Sequence, residues 1–237
     1  MQTKISDMSE MNDVPKQRIK IKKKSQVRMI WQNFRKNKLA MFGLCLLIVM
    51  MGLSIFADFF FDYKEDVIKQ NISERLQLPS KDHLLGTDQF GRDLFARVVY
   101  GGRISLFSGV LIVVLSLAIG SIIGSTAGYY GGKIDNFLMR LMDVILAIPS
   151  QLLAISIVAA LGPSLFNLLI ASTASQVPRF SRIIRSSILT EKEMEYIEAA
   201  KACGTSDARI IIRHILPNAI GPIIVQATLT MGNSIIT

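Results

Sequence analysis

Side chains able to do chemistry are sparse in this chain and stand apart from one another. Arg140 and Asp143 sit three residues apart on one helical face, near the end of an apolar run. An intramembrane charge pair is costly and has a reason. The two either pair with each other, hold a neighbouring subunit, or snorkel to the interface. His83 has no second histidine nearby, so its plain reading is a solvated imidazole rather than a zinc ligand. Cys45 lies in an apolar run and Cys203 in a charged segment, and they fit neither a disulfide nor a metal spacing. Gly128-Tyr129-Tyr130-Gly131-Gly132-Lys133 invites a phosphate-loop reading. That pattern needs Gly at 127 and Ser or Thr at 134, where Ala127 and Ile134 stand. With no other candidate nucleotide site, the chain is expected to be no enzyme and to hold no catalytic, cofactor or metal residues. Residues 129–136 then read as a tight cytoplasmic turn.

The most informative stretch is Glu195 to Asn218, polar and charged between two apolar runs. Residues Glu191 to Cys203 are good helix formers. Gly204 supplies the left-handed position that ends a helix. Thr205 or Ser206 can cap a second helix, with Asp207 in its first turn. That helix is predicted to reach Leu216, with Pro217 opening the next span. Two short helices and a glycine corner make a rigid knob. Ala199, Ala200 and Ala202 keep its surface low enough for a partner to approach the backbone. The competing reading is a charged helical loop that only faces water.

The elements around this knob are apolar. Half of the 237 residues are hydrophobic, and the net charge is +9. The basic residues crowd the N-terminus, with no acid between Lys16 and Lys38 and no nucleic-acid motif beside them. Segment 1–38, with Lys22-Lys23-Lys24 and Arg35, Lys36 and Lys38, places the N-terminus in the cytoplasm by the positive-inside rule. It also suits anionic headgroups, with Trp31 and Phe34 at the interface. Leu39 to Ala57 carries no charge and is about 28 Å long as a helix, enough to cross; the first span is taken as 39–61.

Residues 62–103, mixed in charge, are expected outside. There Gly86 and Gly91 are turn residues, and Asp88 and Asp93 are caps or partners of Arg92 and Arg97. Residues 92–100 read as a short amphipathic surface helix. The core, 104–237, begins with a run from Ile104 to Tyr130. Its Ser116, Gly120, Gly124 and Gly128 form one stripe of small residues suited to close helix packing. Phe137 to Leu161 follows, kinked by Pro149. The next span, Ser164 to about Ile188, carries Asn167, Ser172, Thr173, Ser175 and Gln176, too polar to face lipid throughout. Pro178 bends or breaks it, and Arg179, Arg182 and Arg185 lie beyond. Ala219 to Thr237 begins a fifth span.

Glu198-Ala199-Ala200, then Gly204, then Leu216-Pro217 resembles the EAA loop of permease subunits of ABC-type importers. His214-Ile215-Leu216-Pro217-Asn218, together with the Leu85–Asp93 stretch, is similar to the dipeptide, oligopeptide and nickel branch. The resemblance covers nearly everything from Leu39 onward. It implies an all-α, polytopic transmembrane helical bundle, type I importer permease-like, showing five spans of an expected six and lacking the C-terminal end. It implies a peptide importer subunit in the cell membrane, with nickel or another small solute as the alternative cargo. The loop 191–216 would be the coupling helix that docks on a cytoplasmic ATPase, with Ala199 and Ala200 in close contact, Gly204 setting the corner, and Glu198 anchoring on the ATPase or across the corner. The implied partners are a second permease subunit, two ATP-binding subunits that carry the ATP and Mg, an extracytoplasmic binding protein, and lipid. An ion-coupled secondary transporter and a non-transporting adaptor are the rivals from other classes.

Overall fold

The computed structural model describes residues 31, 32 and 34–236. The expectations for the basic residues up to position 30, Lys22-Lys23-Lys24 among them, lie outside these. Regular structure among the described residues is helical, apart from one isolated antiparallel bridge between Thr87 and Asp93. The chain falls into two units, one ending at Val49 and one beginning at Met50.

In the first unit the Trp31 and Phe34 rings stack with centroids 6.0 Å apart. Asn37 then starts helix α1 (Lys38–Ile55) by accepting from the backbone N–H groups of Leu39 and Ala40. This helix is apolar all round, as a span surrounded by lipid must be.

The second unit opens with the last turn of α1 and an irregular segment that Asp88 holds together. Helix α2 (Leu94–Tyr130) follows, 37 residues long. The Asp93 carboxylate starts it by accepting from the Ala96 N–H at 2.8 Å. No separate surface helix occupies residues 92–100; they lead into or form the first turns of α2, because nothing between Leu94 and Tyr130 breaks the helix. At 1.5 Å per residue α2 is about 55 Å long against a hydrocarbon core of about 30 Å, so it extends beyond the bilayer. Gly102 permits a close crossing with the end of α1, where an added Cβ would meet the Ser54 hydroxyl at 2.5 Å.

After Gly131 and Gly132, both at positive φ, come α3 (Gly132–Ala147) and α4 (Ser150–Leu161). They meet at 86°, so the expected kink at Pro149 is a break and Phe137–Leu161 is not one straight crossing. The residue before a proline avoids the helical region, and Ile148 is accordingly extended at φ −91°, ψ 125°. Helix α5 (Leu165–Glu191) starts on the Ser164 hydroxyl and continues unbroken through Pro178, against the expected bend or break. Two short helices follow, α6 (Glu195–Ala202) and α7 (Asp207–Asn218), the latter with a π-helical middle. The last is α8 (Ile220–Ile236), at 69° to α7. By length and apolarity two helices qualify as spans, or four if each bent pair is one crossing. The five expected crossings include α5, which at 27 residues is long enough to cross and is more polar than the others because one of its faces is buried.

The α2–α5 pair is the centre of this unit. Ser116, Gly120, Gly124 and Gly128 lie buried on α2 against Phe180, Ser181, Ile184, Arg185 and Ile188 of α5. A Cβ at Gly120 would stand 2.6 Å from the Phe180 Cβ, and one at Gly124 would stand 2.5 Å from the Ser181 carbonyl oxygen. Both are closer than atoms pack, so only glycine allows this approach. At the Ser116 level the hydroxyl donates to the Thr173 carbonyl at 3.2 Å.

Candidate functional site

The elbow formed by α6 and α7 begins after a turn at residues 192–194, so the predicted first helix from Glu191 to Cys203 is shorter than expected. Glu191 closes α5 instead. Two backbone bonds end α6: Gly204 N–H donates to the Lys201 carbonyl at 2.9 Å, and Thr205 N–H donates to the Ala200 carbonyl at 3.1 Å. This is a Schellman closure, with Gly204 at φ +74° in its left-handed position. Ser206 precedes α7 in an extended conformation, but its side chain makes no cap bond. Pro217 lies within the last turn of α7 rather than opening the next helix, which starts at Ile220. Asn218 marks the change by donating to the His214 carbonyl and to the Tyr196 hydroxyl.

One face of the elbow is apolar and is sunk into the bundle. Ile197 of α6 and Ile210 and Ile215 of α7 are fully buried with Phe180, Ile184 and Ile188 of α5. Burial of an isoleucine contributes about 1.5–3 kcal/mol, so three of them fasten the elbow far more firmly than its exposed charges can. Ala200 and Leu216 pack against this cluster. Ala200 is therefore half-buried within the chain. Ala199, Ala202, Cys203, Gly204 and Pro217 are exposed. Glu198 is exposed as well and bridges nothing across the corner among the described residues.

Polar contacts hold the elbow to the Tyr130 end of α2. The Tyr129 hydroxyl donates to Asp207 at 2.7 Å, and the Lys201 ammonium lies 5.5 Å from the centroid of the same ring. Lys192 donates to the Gly128 carbonyl at 3.2 Å. Tyr196 donates to Glu191 at 2.5 Å and is burdened by burial first and that carboxylate second, which together push its phenol pKa up. Alongside, Arg185 of α5 grips Asp135 of α3 through two nitrogens, and Arg182 bonds Asp143 at 2.5 Å. Asp143 is thus partnered by Arg182 and not by Arg140, which is exposed and has no ion pair among the described residues. Sequence reasoning missed these cross-helix pairs and the isoleucine plug. Their signal was there: acids at 135 and 143 on one helix, and arginines at 182 and 185 on another.

At the opposite end of α2, Asp88 gathers the segment that precedes the helix. It accepts from the backbone N–H groups of Phe90 and Arg92, and it pairs with the Arg92 and Arg97 guanidinium groups. Burial raises this carboxylate, but the Arg92 and backbone hydrogen bonds overcome burial and hold it well below the usual carboxylate range. His83 is not a solvated imidazole: its Nδ1 lies 2.8 Å from Asp93, and the ring is mostly buried.

Residues 120–237 match the family model described as binding-protein-dependent transport system inner membrane component, and residues 25–79 match the N-terminal TM domain of oligopeptide transport permease C. The chain is 48% identical to the dipeptide transport system permease protein of Alkalihalophilus pseudofirmus over 209 residues, covering 88% of this chain and 68% of that one. The chain belongs to this permease family. The permease is also 41% identical to the oligopeptide transport system permease protein of Bacillus subtilis, over 92% of this chain and 72% of the relative. Against the probable D,D-dipeptide transport system permease protein of Escherichia coli the identity is 36%, over 88% and 69%. It is a multi-pass helical membrane protein. The match over 120–237 takes in the α2–α5 seam from Gly120 and the whole elbow.

Proposed function

We propose that this permease is a membrane-spanning subunit of an ATP-driven importer of dipeptides or oligopeptides, with the elbow at α6–α7 as its docking point for a cytoplasmic ATPase. The observation that carries the reading is the two-sided elbow. Its inner face is plugged into α5 by Ile197, Ile210 and Ile215, while Ala199, Ala202 and Cys203 are exposed. An element so built moves as one piece with the helix it is plugged into. The relatives at 36–48% identity, permeases of dipeptide and oligopeptide transport systems, supply the cargo class.

In this reading a second permease subunit, two ATP-binding subunits and an extracytoplasmic binding protein complete the machine. The N-terminus lies in the cytoplasm, as the basic segment before α1 requires. ATP and Mg act on the partner subunits, and this chain does no bond chemistry. Closure of the ATPase pair pushes the elbow, the isoleucine plug carries the push to α5, and the glycine-lined seam passes it to α2. Access alternates as these helices rock.

The test is reconstitution of this permease in liposomes with its partner subunits and binding protein. Peptide uptake that requires ATP and the binding protein supports the reading. Uptake driven by an ion gradient without ATP would replace it with secondary transport, and nickel uptake without peptide uptake would change the cargo.

A further inference from the structure

Helix α3 has three sides, and the rest of the chain covers only one of them. At about 100° per residue, Asp135, Leu138 and Met142 fall together. These are buried or half-buried, with Asp135 held by Arg185 of α5. Lys133, Asn136, Arg140 and Asp143 form a second side, all of them exposed. Ile134, Phe137, Leu141 and Val144 form the third, apolar and exposed along the length of the helix. The polar and apolar sides adjoin, and Lys133 and Arg140 stand at their border.

A helix of this kind cannot be immersed in hydrocarbon all round, because its polar side would be stranded there. It also leans across α5 rather than running alongside it. Asp135 and Asp143 are about 12 Å apart along α3, yet they pair with Arg185 and Arg182, which are about 4.5 Å apart along α5. The helix begins at the Tyr130 end of α2, beside the elbow, and meets α4 at 86°. The charges left over on it have one sign. Arg185 and Arg182 engage its two acids, whereas Lys133 and Arg140 have no ion pair among the described residues. The apolar side differs from the α2–α5 seam as well. It has no small residue to admit a second helix closely, and acyl chains need none.

We propose that α3 is a membrane-surface helix. It lies at a shallow angle in the leaflet on the elbow side, sinks Ile134, Phe137, Leu141 and Val144 among the acyl chains, and holds the headgroups of anionic phospholipids with Lys133 and Arg140. An amphipathic helix with cations beside its apolar face takes this seat in a bilayer. The anionic headgroup supplies the countercharge that the chain does not give these two side chains. Through the Asp135–Arg185 and Asp143–Arg182 pairs, the seat braces α5 against the membrane surface, and α5 is the helix into which the elbow is plugged.

The experiment uses the complete transporter in nanodiscs, with its other cysteines replaced. A nitroxide is placed singly by Phe137→Cys, Leu141→Cys and Val144→Cys, and by Val114→Cys as a deep reference within α2. Collision with oxygen and with a water-soluble nickel chelate reads the depth of each label. Positions 137 and 144 are about 10 Å apart along the helix. The expected result is oxygen access at all three positions, at depths shallower than 114, with a difference between 137 and 144 well below that distance. A depth that grows by the full axial separation overturns the proposal in favour of a steep crossing. Labels closed to both reagents overturn it in favour of a face covered by the second permease. The headgroup contact is read on the unlabelled complex in detergent, titrated with phosphatidylglycerol or phosphatidylcholine, with retained lipid counted by native mass spectrometry. Lys133→Gln and Arg140→Gln are each expected to weaken phosphatidylglycerol retention about fivefold, the worth of one cation at an anionic surface, and to leave phosphatidylcholine unchanged. Lys133→Arg and Arg140→Lys are expected to keep phosphatidylglycerol. Unchanged retention in the glutamine variants overturns the assignment, and so does equal loss in the charge-conserving ones, since charge would then not be what holds the lipid.

Discussion

Gly204 and Tyr129 are the two residues on which the elbow's shape and attachment turn. Gly204 sits at φ +74° with open space where a Cβ would go, so a substitution there is penalised by the backbone alone. A branched side chain costs about 1–2 kcal/mol in the left-handed region, and asparagine costs less. Gly204→Val is therefore expected to weaken co-purification of the ATPase subunits, with Gly204→Asn retaining most of it. Equal recovery with both variants would mean that the corner does not set docking. Tyr129→Phe removes only the hydroxyl that holds Asp207, worth about 0.5–1.5 kcal/mol. The expected outcome is normal membrane insertion with fewer peptides moved per ATP hydrolysed. An unchanged ratio would show that the tether carries no force.

Among the elements, α3 and α5 are joined by two ion pairs of unequal burial. The Asp135 side chain is 13% exposed and that of Asp143 is 55% exposed. Breaking a hydrogen bond to a charged group costs about 1.5–3 kcal/mol when the site is shielded, and exposed pairs are worth less than about 1 kcal/mol. Asp135→Ala should thus lower the permease's thermal stability in detergent clearly more than Asp143→Ala does. The exchange Asp135→Arg with Arg185→Asp should recover part of that loss. The reverse ranking would place Asp143 and Arg182 in a protein interface. In the segment before α2, Asp88 is an acid-sensitive clasp. Its pKa is depressed in the folded protein, so its stabilisation is complete above the ordinary aspartate value of about 3.9 and is lost as pH falls through the folded value. Amide protection across residues 71–93 is predicted to hold from neutral pH down to about 4 and to fall below that. Loss of protection in mild acid, well above that value, would contradict the assignment.

How far these elements could be read from sequence depends on whether the physics is local. The α2 stripe is legible because small residues every four positions need only a helix to become one face. Gly204 is legible because a left-handed corner has few tenants. The break at Pro149 exceeds the expected kink, since the restriction a proline puts on the residue before it holds Ile148 extended and turns the kink into an 86° bend. Pro178 was overestimated, because the α2 seam buries it and keeps α5 continuous. That Ala200 packs partly against the bundle is not legible, because composition cannot say which side of a short helix meets it. The isoleucine plug and the Asp135–Arg185 pair join residues tens of positions apart, and no pattern within one segment reveals them.

At the scale of the whole molecule, buried isoleucines fasten the elbow to α5, and α5 packs along the small-residue stripe of α2. The central claim is that the elbow lies on the ATPase side of the membrane and is covered there by the ATPase. Cys203 is exposed beside Gly204 and reports on this directly. An impermeant thiol reagent is applied to intact cells, to inside-out vesicles stripped of the ATPase subunits, and to vesicles with those subunits rebound. Modification is read at Cys203 alone. The account predicts no reaction in intact cells, rapid reaction in stripped vesicles, and protection on rebinding; reaction from outside intact cells, or indifference to the ATPase subunits, would contradict it.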